Sequence, residues 1–343
     1  MSKILQYCLY DSGLCNCVMS LEIAVGLAFS TGRFLSLYNV NPVIGGGYGG
    51  QVQAKRRGLV SPINPNVLDL FEIPLDLIFQ DYFLDVFDDP VSLSCGAFGS
   101  NMNSDFLKNR SIVVEPKNSV WHLHSSNLCY YSRFFGDLDK NLIDFIDKVR
   151  PKPPYRDFAN KIVRSLGEFN GVHVRLTDFD RNPERIPKPI DMFSDLDCAF
   201  DNNLKLVVST DASSDSFFDG YKDRCLFIDD YILENYGDSF RDLPFSDEVV
   251  LGLISNMVMW HCVDFVGTPG STFTGLIHRN WYKLRKSKGL PAVFKYTCSG
   301  SDVVLDKMSF REKGGFYSWN SVDIGVDSNM ESWFREWPEC WRA

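Results

Sequence analysis

The sequence predicts an α/β fold made of two domains, each a parallel sheet covered by helices. Three observations predict it. Short apolar runs alternate with helix-length segments in both halves, and three strand-to-helix junctions carry the Gly, Asn, Ser or Thr residues expected at the carboxyl edge of a ligand-binding sheet. A chain of 343 residues is also long for one core and comfortable for two.

Residues 4–10 read as a strand, Asp11-Ser12-Gly13 as a turn, and 16–32 as a buried helix with apolar residues at Val18, Leu21, Val25 and Phe29. A second strand comes next over 34–40, which sets Gly13 and Asn16 at the sheet's carboxyl edge. The glycine-rich stretch Gly45–Gly50 has no phosphate-loop lysine and reads as a loop over a cleft. A helix over 139–150 is expected to stop at Pro151-Lys152-Pro153-Pro154, because proline ends a helix and stiffens the chain beyond it. The domain boundary is placed there. The first domain then covers 1–155 and the second 156–326, with a Trp-rich segment over 327–343 packing back on the first.

The second half repeats the alternation, with strands over 171–176, 204–209, 225–228 and 263–267. Helices are expected over 188–202, 247–262 and 271–287.

With 35 basic and 44 acidic residues the formal charge is -9, which repels polyanions over most of the surface and argues against nucleic acid as a partner. The ten cysteines sit mostly in apolar runs, Cys8, Cys198, Cys225 and Cys262 among them, and read as buried reduced thiols. Cys15 and Cys17 are too close for a Cys-x-x-Cys metal pair. The first twenty residues show no charged leader followed by an apolar block and cleavage site, and no apolar run reaches membrane-spanning length. A soluble, cytoplasmic protein without a membrane partner is the expectation.

Three junctions carry the chemistry. In the segment Gly171-Val172-His173-Val174-Arg175-Leu176-Thr177-Asp178 an apolar run ends in a cation. Arg175 is either a surface residue at a strand end or a fixed fork of donors for phosphate oxygens. His173 is either a ligand-bonding group or a satisfied core histidine, and Asp178 either orients the arginine or caps the next segment. In Phe265-Val266-Gly267-Thr268-Pro269-Gly270-Ser271-Thr272-Phe273 a strand turns into a helix at two hydroxyl residues. Backbone N–H groups and hydroxyls converge there, as a capped helix or as an anion cradle. Asn16 is likewise a helix cap or a donor to a phosphate or sugar hydroxyl.

Taken together these junctions resemble the fucosyltransferase superfamily that includes the protein O-fucosyltransferases, the α1,6-fucosyltransferases and the nodulation fucosyltransferases. Gly13-Leu14-Cys15-Asn16 is similar to the family's Gly-x-x-Asn motif, His173-Val174-Arg175 to its His-x-Arg motif, and Ser271-Thr272-Phe273 with Gly267 to the motif that holds the donor's β-phosphate. Val207–Asp211 matches the strand between the last two, and Asn256 stands where some relatives carry a nucleotide-contacting Asp. The resemblance implies a GT-B fold of two Rossmann-like domains, a GDP-fucose (or other GDP-sugar) donor, and inverting transfer to a hydroxyl of a glycan, protein or small-molecule acceptor. It implies no required metal or other cofactor. Donor contacts would fall to Gly13, Asn16, His173, Arg175, Asp178, Asp211, Asn256, Ser271, Thr272 and Phe273. Arg175 would stabilise the leaving group. The base is open between Asp11, which also reads as a turn former, and Asp178. Two other readings stand beside this one. One is transfer of another sugar, with Lys55-Arg56-Arg57 as a short basic cluster toward a modified nucleic acid, although such a cluster is usually a solvated face. The other is a nucleotide- or glycan-binding module without turnover.

Overall fold

The computed structural model describes residues 4–8, 13–30, 32–38, 57–59, 65–74, 78–79, 91–94, 120–124, 144–176, 188–268, 271–291 and 295–296. The chain divides into two units, the first drawing on Met1–Ile44 and Pro65–Lys152, the second on Gly45–Asn64 and Pro153–Tyr317.

The first unit opens with β1 (Ile4–Cys8), α1 (Leu14–Ser30) and β2 (Phe34–Tyr38), followed by α2 (Val67–Leu70), β3 (Phe71–Glu72), β4 (Ile78–Phe79), β5 (Val91–Ser94), β6 (Val120–His124) and β7 (Arg150–Pro151). Five of these strands form a parallel sheet in the order β4-β2-β1-β6-β5. β3 and β7 pair separately and antiparallel. Leu14, Val18, Leu21, Val25 and Ala28 of α1 are buried, as an apolar crossover helix lying on its sheet requires. The helix stops at Gly32, whose φ of +60° is the left-handed turn that glycine adopts without penalty. There the Arg33 N–H reaches back to the Ala28 carbonyl at 2.8 Å.

The second unit contains α3 (Pro153–Leu166), β8 (Phe169–Val174), α4 (Pro189–Ala199), β9 (Lys205–Thr210), β10 (Cys225–Phe227), α5 (Ile228–Arg241), α6 (Glu248–Met259), β11 (Phe265–Gly267), α7 (Thr272–Ser287) and β12 (Lys295–Tyr296). Its parallel strands run β10-β9-β8-β11-β12. All six residues of β8 are buried, and Val172, Val174, Val208 and Val266 pack with Met192, Phe193 and Leu196 of α4 into one core cluster. From β8 the chain steps outward through β9 and β10, then returns to lay β11 on the other side of β8. The carboxyl edge between β8 and β11 is therefore the point where strand order reverses, the place an open parallel sheet offers a ligand.

Several elements differ from expectation. The prolines at 153 and 154 start α3 instead of stiffening a linker, because proline is tolerated in the first helical turn where no intrahelical N–H bond is lost. Tyr155, Phe158, Ala159, Ile162 and Leu166 then form its buried stripe. The helix expected over 139–150 lies partly outside the described residues, and Arg150 already belongs to β7. Helix α5 has no counterpart among the expected elements. The segment over 327–343, the Gly45–Gly50 loop, Asp11 and Asp178 lie outside the described residues. Of the described cysteines Cys15, Cys17 and Cys262 are buried, but Cys198 is exposed because it sits on the outer face of α4. No helix among the described residues is long and apolar enough to cross a membrane.

Candidate functional site

Strand β8 delivers His173 and Arg175 to the β8–β11 edge. Its ladder with β9 continues to its last residue, Val174 opposite Thr210, whereas the ladder with β11 spans only Gly171 opposite Phe265 and Val172 opposite Val266. Past that point a side chain replaces the ladder. The Thr268 hydroxyl accepts the Arg175 N–H at 2.9 Å and donates to the His173 carbonyl at 2.8 Å. Arg175 then pairs through Nε with Asp211 Oδ2 at 3.1 Å, both side chains being largely buried. Asp211 comes directly after β9, and its other oxygen accepts the Leu176 N–H at 2.9 Å. A guanidinium held at its Nε edge by a carboxylate has a fixed plane, the arrangement that suits recognition of an oxyanion.

The second half of the site is the start of α7. Ser271 is its N-cap, yet makes no side-chain capping bond. The first intrahelical bond runs from the Gly275 N–H to the Ser271 carbonyl at 3.0 Å. The N–H groups of Thr272, Phe273 and Thr274 consequently have no intrahelical acceptor, and the positive end of the helix dipole lies at the same sheet edge as Arg175. An anion is the ligand such an end favours.

A tight packing arrangement joins the two halves. His173 is buried, with Nδ1 2.8 Å from Thr274 Oγ1 and its ring stacked on Phe273 at 4.8 Å between centroids. A Cβ at Gly267 would lie 2.1 Å from Thr274 Cγ2, so only glycine lets α7 approach the end of β11 this closely. Asn256 is fully buried on α6; its Nδ2 donates to the Phe273 carbonyl at 3.1 Å and its Oδ1 accepts Trp260 Nε1 at 2.9 Å. The amide thereby ties α6 to the first turn of α7.

His173, Arg175, Asp211, Asn256, Ser271, Thr272 and Phe273 are thus gathered around one edge of the second unit's sheet. Gly13 and Asn16 belong to the first unit, at the junction of β1 and α1. A Cβ at Gly13 would meet no atom within 4 Å, and its carbonyl accepts the Cys17 N–H at 3.1 Å. Asn16 is half-buried in the first turn of α1. Sequence reasoning does not find Thr268, whose two partners lie more than ninety positions upstream and leave no local signal.

Arg57 also departs from expectation. It is not a solvated cation: its side chain is 9% exposed and ion-paired with Asp229 at 3.0 Å, Glu248 at 2.9 Å and Asp230 at 3.2 Å. Asp229 and Asp230 open α5 and Glu248 opens α6, so one cation bridges two helix starts. Ser255 donates a further hydrogen bond to Asp229. Burial first, then the neighbouring Asp229, pushes the Glu248 carboxyl up to about 7. Burial alone would lower the Arg57 pKa, and the surrounding carboxylates more than reverse that. Lys55 and Arg56 lie outside the described residues.

No family model matches the sequence, and no curated protein matches it. Its fold is nevertheless similar to solved transferases. A NodZ alpha-1,6-fucosyltransferase co-crystallised with GDP aligns with a TM-score of 0.55 over 89% of this chain and 99% of its own, at 12% identity. The fucosyltransferase NodZ from Bradyrhizobium aligns with a TM-score of 0.53 over 89% of this chain and 100% of its own, at 13% identity. The α/β fold with parallel sheets expected from the sequence is the fold shared with these structures.

Proposed function

We propose that the chain is a glycosyltransferase that moves fucose from GDP-fucose to an acceptor hydroxyl with inversion and without a required metal. The observation that carries this reading is the strand-order reversal between β8 and β11, which brings an oriented arginine and an uncapped helix start to one edge. The fold likeness to a fucosyltransferase crystallised with GDP supports the choice of donor.

In this mechanism the acceptor oxygen attacks the anomeric carbon from the face opposite the diphosphate. The carbon–oxygen bond to the β-phosphate breaks, and its electron pair stays on the departing GDP. Negative charge therefore grows at the β-phosphate, where Arg175 and the α7 N–H groups, with the Ser271 and Thr272 hydroxyls, are assigned to receive it. One fixed cation and a set of neutral donors would here do the work a divalent cation does elsewhere. His173 and Phe273 shape the floor beneath the diphosphate, while Asn256 and Asp211 hold the groups that touch it. The acceptor proton passes to a base, for which Asp11 is the first candidate and Asp178 the second.

The test is nucleotide selectivity and then turnover. Thermal shift with GDP, UDP and CDP is expected to single out GDP, and GDP release from GDP-fucose is expected to persist in chelator. Stabilisation by UDP but not by GDP would overturn the donor assignment.

A further inference from the structure

Thr268 stands where the backbone ladder between β8 and β11 ends. The two strands pair only through Phe265–Gly171 and Val266–Val172, after which the chain leaves β11 toward α7. The peptide groups on either side of Val174 would lose their partners on that side. Thr268 supplies both from one hydroxyl, at 2.9 Å from the Arg175 N–H and 2.8 Å from the His173 carbonyl, and is itself 1% exposed. On the opposite side β9 holds the same stretch through its own backbone.

We propose that Thr268 is a positioning residue for Arg175, setting the backbone from which the guanidinium projects while Asp211 sets the plane of the guanidinium. This inference rests on the reading of Arg175 as the group that receives leaving-group charge. Two distinct attachments are needed because Arg175 is the first residue past the end of β8, where a strand ordinarily frays. Without the hydroxyl the Arg175 N–H and the His173 carbonyl would lose these two bonds, and the end of β8 would shift in response. A shift of this kind moves charge away from where the transition state develops it, and touches ground-state binding far less.

Thr268→Val removes the hydroxyl at nearly constant volume, and Thr268→Ser keeps it. In the full chain without ligand, amide hydrogen exchange at Arg175 is expected to quicken in the Val variant and return to the wild-type rate in the Ser variant, with Val172 unchanged in both. With GDP-fucose the Val variant should lose on the order of 10²-fold in kcat with KM nearly unchanged. In an Arg175→Ala background the same Thr268→Val change should cost nothing further, because its effect passes through Arg175. Equal losses in both backgrounds would assign Thr268 a general structural role and overturn the proposal, as would unaltered exchange at Arg175. If the wild-type chain neither binds GDP nor turns over GDP-fucose, the functional reading fails by itself. The exchange rates then still decide whether Thr268 holds Arg175.

Discussion

Asp211 holds Arg175 from two directions: its Oδ2 lies 3.1 Å from the arginine Nε, and its Oδ1 accepts the N–H of the next residue, Leu176, at 2.9 Å. One carboxylate therefore fixes both the guanidinium and the backbone just beyond it. Asp211→Asn keeps the shape but exchanges the charge-assisted bond for a neutral one. GDP-fucose turnover is expected to fall on the order of 10²-fold as the guanidinium loses its fixed plane. Arg175→Ala should cost about 3–4 kcal/mol of transition-state stabilisation. Steady-state GDP release checks both, and wild-type turnover in either variant would refute the assignment.

Gly267→Ala is expected to be destabilising out of proportion to one methyl group. The new Cβ would sit 2.1 Å from Thr274 Cγ2 and 3.1 Å from its Cβ, and a β-branched side chain on a helix has little rotamer freedom with which to yield. Overpacking of this kind should cost at least ~2 kcal/mol, read as a lower urea midpoint with an unchanged slope. Thr274→Ala should recover part of that loss in the double variant, while giving up the contact with His173.

The β8 and β11 junctions are legible in the sequence because each joins a short apolar run to residues of unmistakable chemistry, Arg175 in one case and Gly267 with Ser271 in the other. Pairing across distance is not legible. Arg175 finds Asp211 from the next strand, Thr268 reaches back to His173, and Arg57 meets carboxylates more than 170 positions away; residue types alone do not specify such partners. Helix α3 is hidden because Pro153 and Pro154 read as a stop, although proline fits the first turn of a helix. Helix α5 has a further reason: its N-cap is Phe227, which makes no side-chain capping bond, and Tyr236 inside it departs from helical geometry at φ -135° and ψ 16°.

Asp247 makes stability depend on pH through the N-cap of α6. Its Oδ1 accepts the Val250 N–H at 3.0 Å, yet burial pushes the carboxyl up to about 6. A folded-state pKa above the unfolded value means that the folded chain holds the proton more tightly. The resulting stability is full below about pH 4 and is lost as pH rises through about 6. Asn caps a helix as well as Asp and carries no charge to desolvate. Asp247→Asn should therefore raise stability by about 1–2 kcal/mol at pH 7.5, with little gain at pH 4. Urea unfolding at the two pH values measures the difference, and equal gains at both would contradict it.

Arg57 presents the opposite case, a cation whose removal strands the acids around it. Three carboxylates meet one guanidinium at 2.9–3.2 Å, and two of them, Asp229 and Glu248, have side chains only 13% and 16% exposed. In Arg57→Ala the desolvation of those groups persists without the attraction that offsets it, which should cost about 3–5 kcal/mol above pH 8. The Glu248 carboxyl already stands at about 7, raised first by burial, and losing Arg57 removes an influence that lowers it. Folded-state pKa values would thus move further above the unfolded ones. Their stabilising effect is present at low pH and disappears as pH rises through the folded pKa, so the variant should lose stability more steeply than wild type from about pH 5 to 8. At pH 5, below the Glu248 value, that carboxyl binds a proton and the deficit should shrink to a fraction of its value at pH 8. Arg57→Lys keeps the charge but lacks the fork that reaches two helix starts at once, and should fall between the two. Parallel stability curves for wild type and Arg57→Ala across that range would mean that Arg57 contributes packing alone.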